Sequence, residues 1–337
     1  MAGGKMLELI KSDTVFYVVA PANAATGGPE LLHQLASKLR KAGKRVYMFY
    51  TPSDHPEPVH ENYRQYGIDF VRSVPDESDN LLIVPEVETK ILERYQRVKK
   101  VIWWLSVDNY FRNLPGLKGK INRFFLKKMG SQKYLFFNEN VKNADSHLAQ
   151  SRYAMDFLKE KGINKSDYLS DYLHHSFLSE GSSLNDKKNI VAYNPKKGVN
   201  FTRKLVDAAP HIEFVAIENM SREQVVDLLR SAKVYIDFGF HPGKDRIPRE
   251  AAFLGCCVIV SKRGSACYYD DVPVPSEFKF TDSTKNISRI ISKIDECFFD
   301  FERNHDKFND YRSAIKDQEI DFDRQVNRLF VGKPDNV

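Results

Sequence analysis

TVFYVVAPANAATGGPELLHQLASKLRKAGKRVYMFY, from Thr14 to Tyr50, is the stretch that decides the fold class. Thr14 to Ala20 is a short apolar run rich in β-branched and aromatic residues. It reads as a strand buried on both faces. The loop after it carries Thr26-Gly27-Gly28. Leu31, Leu32, Leu35, Ala36 and Leu39 then recur at helical spacing, and Gly43 marks the helix end. Arg45 to Tyr50 is the next strand. Strand, glycine loop, helix and strand make a βαβ unit, whose two strands are parallel.

Outward from this unit the alternation continues. Leu81 to Pro85 reads as a strand, Glu86 to Val98 as a helix and Lys100 to Leu105 as a strand. Leu135 to Asn138 and His147 to Gln150 are two shorter strands. Ser151 to Lys161 is a helix, with Ser151 as its cap and Gly162 as its stop. Asp167 to Lys188 is polar and carries a Gly-Ser-Ser turn, so the domain boundary is placed there. A second series follows, with strands at Asn189 to Tyr193, His211 to Ile217, Lys233 to Phe238 and Cys256 to Val260. Helices at Phe201 to Ala209, Ser221 to Ser231 and Ile247 to Leu254 lie between them. Repeated βα alternation predicts an α/β protein of two Rossmann-like, doubly wound parallel sheets. The expected domains are residues 1–174 and 175–305, followed by a charged helical tail, 306–337, that crosses back to the first domain.

Composition narrows the function classes. A chain of 337 residues has room for two domains with cores of their own. Four cysteines without a CxxC pair argue against a disulfide framework or a zinc site, and fit a reducing compartment. A net charge of +6 suits an anionic ligand or an acidic membrane surface, and is too small to imply nucleic acid. No apolar stretch reaches the roughly 18 residues of a membrane span, and Met1 to Lys11 lacks a signal peptide's apolar core. The expectation is a cytoplasmic protein, compatible with peripheral association with the inner membrane face.

In doubly wound sheets, ligands bind beyond the carboxyl ends of the strands. Thr26-Gly27-Gly28 stands at such an end and would let a backbone approach an anion at a helix start, or is a plain tight turn. Asn194-Pro195-Lys196-Lys197-Gly198 offers lysines to a diphosphate, or is a solvated turn. The richest segment is Phe238 to Ala252, FGFHPGKDRIPREAA. There Lys244, Arg246 and Arg249 add positive charge, and Pro248 suits a first helical turn. Glu250 can accept two hydroxyl hydrogen bonds, as a ribose diol requires, or can serve the helix dipole. Arg263-Gly264-Ser265-Ala266 offers N–H groups and a hydroxyl to a phosphate, or is a cap. In Trp103-Trp104-Leu105-Ser106-Val107-Asp108-Asn109, the tryptophans suit the core better than a sugar platform. Asp108 and Asn109 lie past the strand end, where an acid orients or deprotonates an acceptor hydroxyl, or caps a helix.

Together these residues resemble the GT-B glycosyltransferases, especially the family 4-like group of bacterial surface polysaccharide biosynthesis. The resemblance is strongest from Asn189 to Asp271. Gly27 and Gly28 stand where that group has its glycine loop. Lys197-Gly198 matches its basic-residue and Lys-Gly element, with Asn194 near the place of the usual arginine. Glu250-Ala251 looks like the second glutamate of the Glu-x7-Glu motif, which binds the nucleotide ribose. Pro242 stands where the first glutamate belongs, with His241 and Asp245 nearby. Ala144-Asp145 to Gly162 resembles the segment closing the N-terminal domain. The family's histidine has no counterpart between Ser106 and Asn109, where Asp108 is the substitute.

The resemblance implies transfer of a hexose-like sugar from a nucleotide-sugar donor to a glycan or lipid-linked glycan. The donor site would comprise Gly27, Gly28, Lys197, Lys244, Arg246, Glu250, Gly264 and Ser265. Asp108 would be catalytic, and Trp104 and Asn109 would lie on the acceptor side. No cofactor is implied. No DxD motif stands in a suitable loop, so lysines and arginines are expected in place of a metal. The alternatives are a nucleotide-sugar epimerase of the same architecture and a nucleotide-sugar-binding subunit without catalysis.

Overall fold

The computed structural model describes residues 5–112, 139–174 and 184–332. The chain divides into two compact units, Met1–Asp171 with Ile320–Val337, and Tyr172–Glu319. The return to the first unit falls inside the helix Asn309–Val326.

The first unit is built on a 7-stranded sheet. Its strands are β1 (Val15–Pro21), β2 (Arg45–Thr51), β3 (Phe70–Val71), β4 (Leu81–Pro85), β5 (Lys99–Trp104), β6 (Ser146–Ala149) and β7 (Asp167–Tyr168), in the order β3-β2-β1-β4-β5-β6-β7. All pairings are parallel. Val15 to Ala20 are buried throughout, as expected of a strand covered on both faces. One face packs Tyr17, Val19, Ile102 and Trp104 into a shared core. On the other face Phe16 meets Phe330 edge-on at 6.1 Å, and Trp103 stacks on Phe322 at 6.3 Å. Both phenylalanines come from the chain's last segment, which thereby completes this unit. The helix Gly27–Lys41 buries Leu31, Leu32, Leu35, Ala36 and Leu39, as its spacing predicts.

One expectation needs correction here. Glu86 to Val98 is not an α-helix but a 3-10 run, Glu86–Arg94. The buried Glu86 carboxylate takes the Leu105 N–H at 2.8 Å. Asp76 takes the N–H groups of Gln96, Arg97 and Val98 at 2.8–2.9 Å, which draws the chain out of the helix and into β5. The two-residue strands β3 and β7 carry too little pattern to be read from sequence. The expected strand at Leu135 to Asn138 lies outside the described residues. Ser151 caps its helix as expected, its hydroxyl oxygen accepting from the Ala154 N–H at 3.1 Å.

The second unit has a 5-stranded parallel sheet of β8 (Lys188–Tyr193), β9 (Glu213–Ala216), β10 (Ala232–Asp237), β11 (Cys257–Ser261) and β12 (Lys279–Phe280). The order is β12-β11-β10-β8-β9. Val191, Ala192, Val234, Ile236 and Val258 to Val260 form its core with Leu205, Leu229 and Ile290 from the helices. Two buried lysines serve this core. The Lys187 ammonium donates to the carbonyls of Leu229, Ala232 and Leu254 at 2.7–2.9 Å. The Lys279 ammonium donates to those of Ala266 and Val272 at 2.9 and 2.7 Å. Among the described residues, no helix is long and apolar enough to cross a membrane.

Candidate functional site

In the second sheet β8 lies between β9 and β10, so the chain leaves β8 to one side and returns to the other. This reversal is a topological switch point, where open α/β sheets leave a crevice beyond the strand ends. The loops after β8, β10 and β11 meet there.

Glycine permits the approach. Gly198 has φ of +63°, and a Cβ on it would lie 2.2 Å from the Phe238 carbonyl oxygen. Gly264, φ +51°, would place a Cβ 2.0 Å from the His241 carbonyl oxygen. Neither distance is tolerable, and an L side chain rarely adopts either backbone. The Ser265 N–H donates to the His241 carbonyl at 2.8 Å, and its hydroxyl to the Gly243 carbonyl at 2.6 Å. For Ser265, the expectation of donors to a phosphate is thus revised. Ser265 is buried and both its donors bind the neighbouring loop, so the pair shapes the site from behind.

At the centre is a polar group drawn from two of these loops. Lys197 Nζ lies 2.7 Å from Asp245 Oδ1. Asp245 Oδ2 lies 3.1 Å from His241 Nδ1. His241 Nε2 faces Asp237 Oδ1 at 3.9 Å on its other side. Asp237 also accepts from the Gly239 N–H at 2.9 Å and from the Tyr235 hydroxyl at 3.3 Å. His241 is wholly buried. Burial alone would lower its pKa, but Asp245 and the charge of Asp237 outweigh that, and it is raised. Burial pushes the Asp237 carboxyl up. For Asp245, burial is overcome by His241 and Lys197, and the carboxyl is held low. Asp237, His241 and Asp245 can bring ligand atoms within 4.8 Å of one another. A metal there would have to displace the Lys197 ammonium from Asp245 or endure its repulsion.

The helix Arg246–Phe253 carries the remaining candidates. Glu250 is 3% exposed, with Oε1 3.4 Å from Arg246 Nε. Burial raises its pKa against the pull of Arg246 and Arg249. Arg249 points inward, donating to the carbonyls of Asp245 and Lys244 and to Gln318 Oε1 at 2.9–3.2 Å. It locks the loop instead of offering charge to a ligand. Lys197 therefore joins the strand-end cluster through Asp245, Arg246 and Glu250 pair with each other on the helix that follows, and Ser265 binds the loop from behind. The sequence reading noted His241 and Asp245 only as neighbours of Pro242 and missed their link to Asp237 and Lys197. The available signal was the spacing Asp237, His241, Asp245, four residues apart each time.

In the first unit, β1 and β4 flank the corresponding switch point. Gly27 and Gly28 open the helix there, after Thr26 as cap. A Cβ on Gly28 would rest 3.8 Å from Leu105 Cδ1, an ordinary contact. Trp104 has no exposed surface, packs against Tyr110 and Phe157, and donates its indole N–H to His147 Nδ1 at 3.1 Å. It supports the strand and offers no face to an acceptor, which revises its expected place on the acceptor side. Asp108 lies in the first turn of the helix Val107–Arg112, and its Oδ1 accepts from the Tyr153 hydroxyl at 3.2 Å. Asn109, beside it, is half-buried.

No protein-family model matches the chain, and no curated protein does. Solved structures do. Sucrose-phosphate synthase from Thermosynechococcus elongatus is 12% identical and aligns with TM-score 0.64, over 94% of this chain and 98% of that one. The Anabaena protein HepE, solved in complex with UDP, is 11% identical at TM-score 0.60, over 95% of this chain and 100% of that one. The lipopolysaccharide outer core galactosyltransferase WaaB gives the same identity, TM-score and coverages. These neighbours are GT-B glycosyltransferases, and the fold of this chain is GT-B.

Proposed function

We propose that the chain is a glycosyltransferase that moves a hexose-like sugar from a nucleotide diphosphate to a glycan or lipid-linked glycan in surface polysaccharide synthesis. The observation that carries this reading is the welding of three strand-end loops at the switch point of the second sheet. They bring Lys197 against Asp245, at the cap of the helix that carries Arg246 and Glu250. Glu250 holds the ribose diol through its carboxylate, in exchange for its contact with Arg246. Lys197, Lys244 and Arg246 face the diphosphate. Their charge stabilises the negative charge that builds on the leaving diphosphate as the bond to the sugar's anomeric carbon breaks. The acceptor hydroxyl oxygen forms the new bond to that carbon and passes its proton to a base, for which Asp108 is the candidate. Asp108, in the first unit, is the candidate to hold that hydroxyl. The ammonium and guanidinium groups take the place of a metal, so chelator leaves transfer intact.

The UDP bound by HepE makes UDP the first probe, with ADP and GDP beside it. Binding raises the melting temperature by mass action. Glu250→Ala is expected to weaken nucleotide binding by about 1–3 kcal/mol, the cost of losing hydrogen bonds to a charged group. Transfer of labelled sugar from the matching donor then separates a transferase from a binding subunit. A protein that no nucleoside diphosphate stabilises would refute the reading.

A further inference from the structure

Four groups at the centre of the second unit form a chain, Asp237–His241–Asp245–Lys197, linked by contacts of 3.9, 3.1 and 2.7 Å. We propose that His241 is a positioning residue whose imidazolium shares Asp245 with Lys197, so that the Lys197 ammonium stays available to a nucleoside diphosphate. This inference rests on the donor-site reading above.

With both carboxylates ionised and His241 protonated, two carboxylates face two cations, and the group is neutral. With His241 neutral, the same group carries one net negative charge, and of the four groups only Lys197 remains as a cation beside Asp245. An arriving diphosphate then meets a negative cluster and a lysine held against its carboxylate. The geometry allows no easy substitute. His241 is wholly buried, and its backbone is fixed by Ser265 and by the close approach of Gly264. Its Nδ1 faces the Asp245 carboxylate at the cap of the helix Arg246–Phe253, and its Nε2 lies 3.4 Å from the Asp237 backbone carbonyl oxygen and 3.9 Å from the Asp237 carboxylate at the end of β10. From the β8 loop the facing charge is Lys197. From the β11 side it meets Ser265 N–H and Gly264, which do not titrate. On the helix that follows the loop, Arg246 and Glu250 contact each other at 3.4 Å.

The sign follows. The imidazolium is favoured by its two carboxylates, so its charge persists above the ordinary histidine range and is lost as pH rises through the raised pKa. Diphosphate affinity is lost over that same interval. By linkage, bound diphosphate must raise the pKa of His241 in turn.

The test measures UDP and uridine affinity from pH 5.5 to 9 in wild type and in His241→Gln, with ADP or GDP if UDP is not the preferred nucleotide. The nucleotide's own ionisation is common to both proteins and cancels in their ratio. Wild type is expected to bind UDP more tightly than the variant at low pH, on the order of tenfold for one charge at this range, and the gap should close at high pH. Uridine affinity should differ little between them. If the variant folds poorly, imidazole titration of wild type by NMR decides, since His241 must titrate above 6.5 and move up when UDP is added. Parallel pH profiles for the two proteins, or an imidazole titration unmoved by UDP, would overturn the inference and leave the donor site standing. Failure of every nucleoside diphosphate to bind would overturn both.

Discussion

Glu86 shows how burial turns one residue into a pH-dependent part of the fold. Its carboxyl is almost wholly covered, and burial pushes its pKa up to about 8, against the pull of the Leu105 N–H and its other backbone bonds. The unfolded carboxyl titrates near 4.5, so between about pH 4.5 and 8 the folded chain binds more protons than the unfolded one. Its stability must therefore fall as pH rises through that window. Glu86→Gln keeps an acceptor for Leu105 and carries no charge. It is expected to flatten the decline by several kcal/mol, to order of magnitude, in denaturant titrations between pH 5 and 9. An unchanged slope would locate the pH dependence elsewhere. On the proposed reading, Asp108→Asn should lower turnover by about a hundredfold or more while nucleotide affinity is kept. If Asp108 only partners Tyr153 and its helix, the variant should keep its rate and lose some stability.

At the scale of elements, loops depend on contacts that their own residues do not announce. The loops after β8, β10 and β11 are held by Gly198, Gly264 and Ser265. Gly264→Ala requires a strained backbone and pushes a Cβ into the His241 carbonyl. It should cost at least about 1–3 kcal/mol in melting experiments and weaken diphosphate binding, because His241 and Asp245 sit on the displaced loop. A variant with wild-type nucleotide affinity would mean that the interlock is only structural. The 3-10 run from Glu86 is a similar case. Its residues suit a helix, but Glu86 and Asp76 bind backbone N–H groups elsewhere in the chain and set where the run ends.

At the scale of the molecule, the last segment belongs to the unit where the chain began. Phe322, Val326, Leu329 and Phe330 are buried, and Phe330 lies against Phe16 on the outer face of β1. Phe330→Ala should destabilise the first unit by about 3–5 kcal/mol, the cost of a large core truncation. Calorimetry is expected to show two transitions, since two units need not unfold together. Only the one belonging to Met1–Asp171 should drop. A shift of the other transition would contradict this assignment of the tail.

The sequence by itself determined the βα alternation, the parallel pairing and the loops worth attention. Buried strands write their pattern into four to seven consecutive residues, and helices into spacing of three and four. Thr14 to Tyr50 was therefore legible, as was the richness of Phe238 to Ala252. Only the tertiary structure decided which polar groups share a space. Asp237 and Lys197 are distant in the chain and come together because β8 and β10 are neighbours at a reversal of strand order. The same holds for roles. Arg249 read as added charge in the loop and Ser265 as a ligand donor, but the fold spends their hydrogen bonds on its own carbonyls. Trp104 read as lying near an acceptor, but the fold buries it. Periodicity is a local property that a short stretch can carry. Burial, and the charge state it imposes on a group such as His241, depends on every element packed around that group.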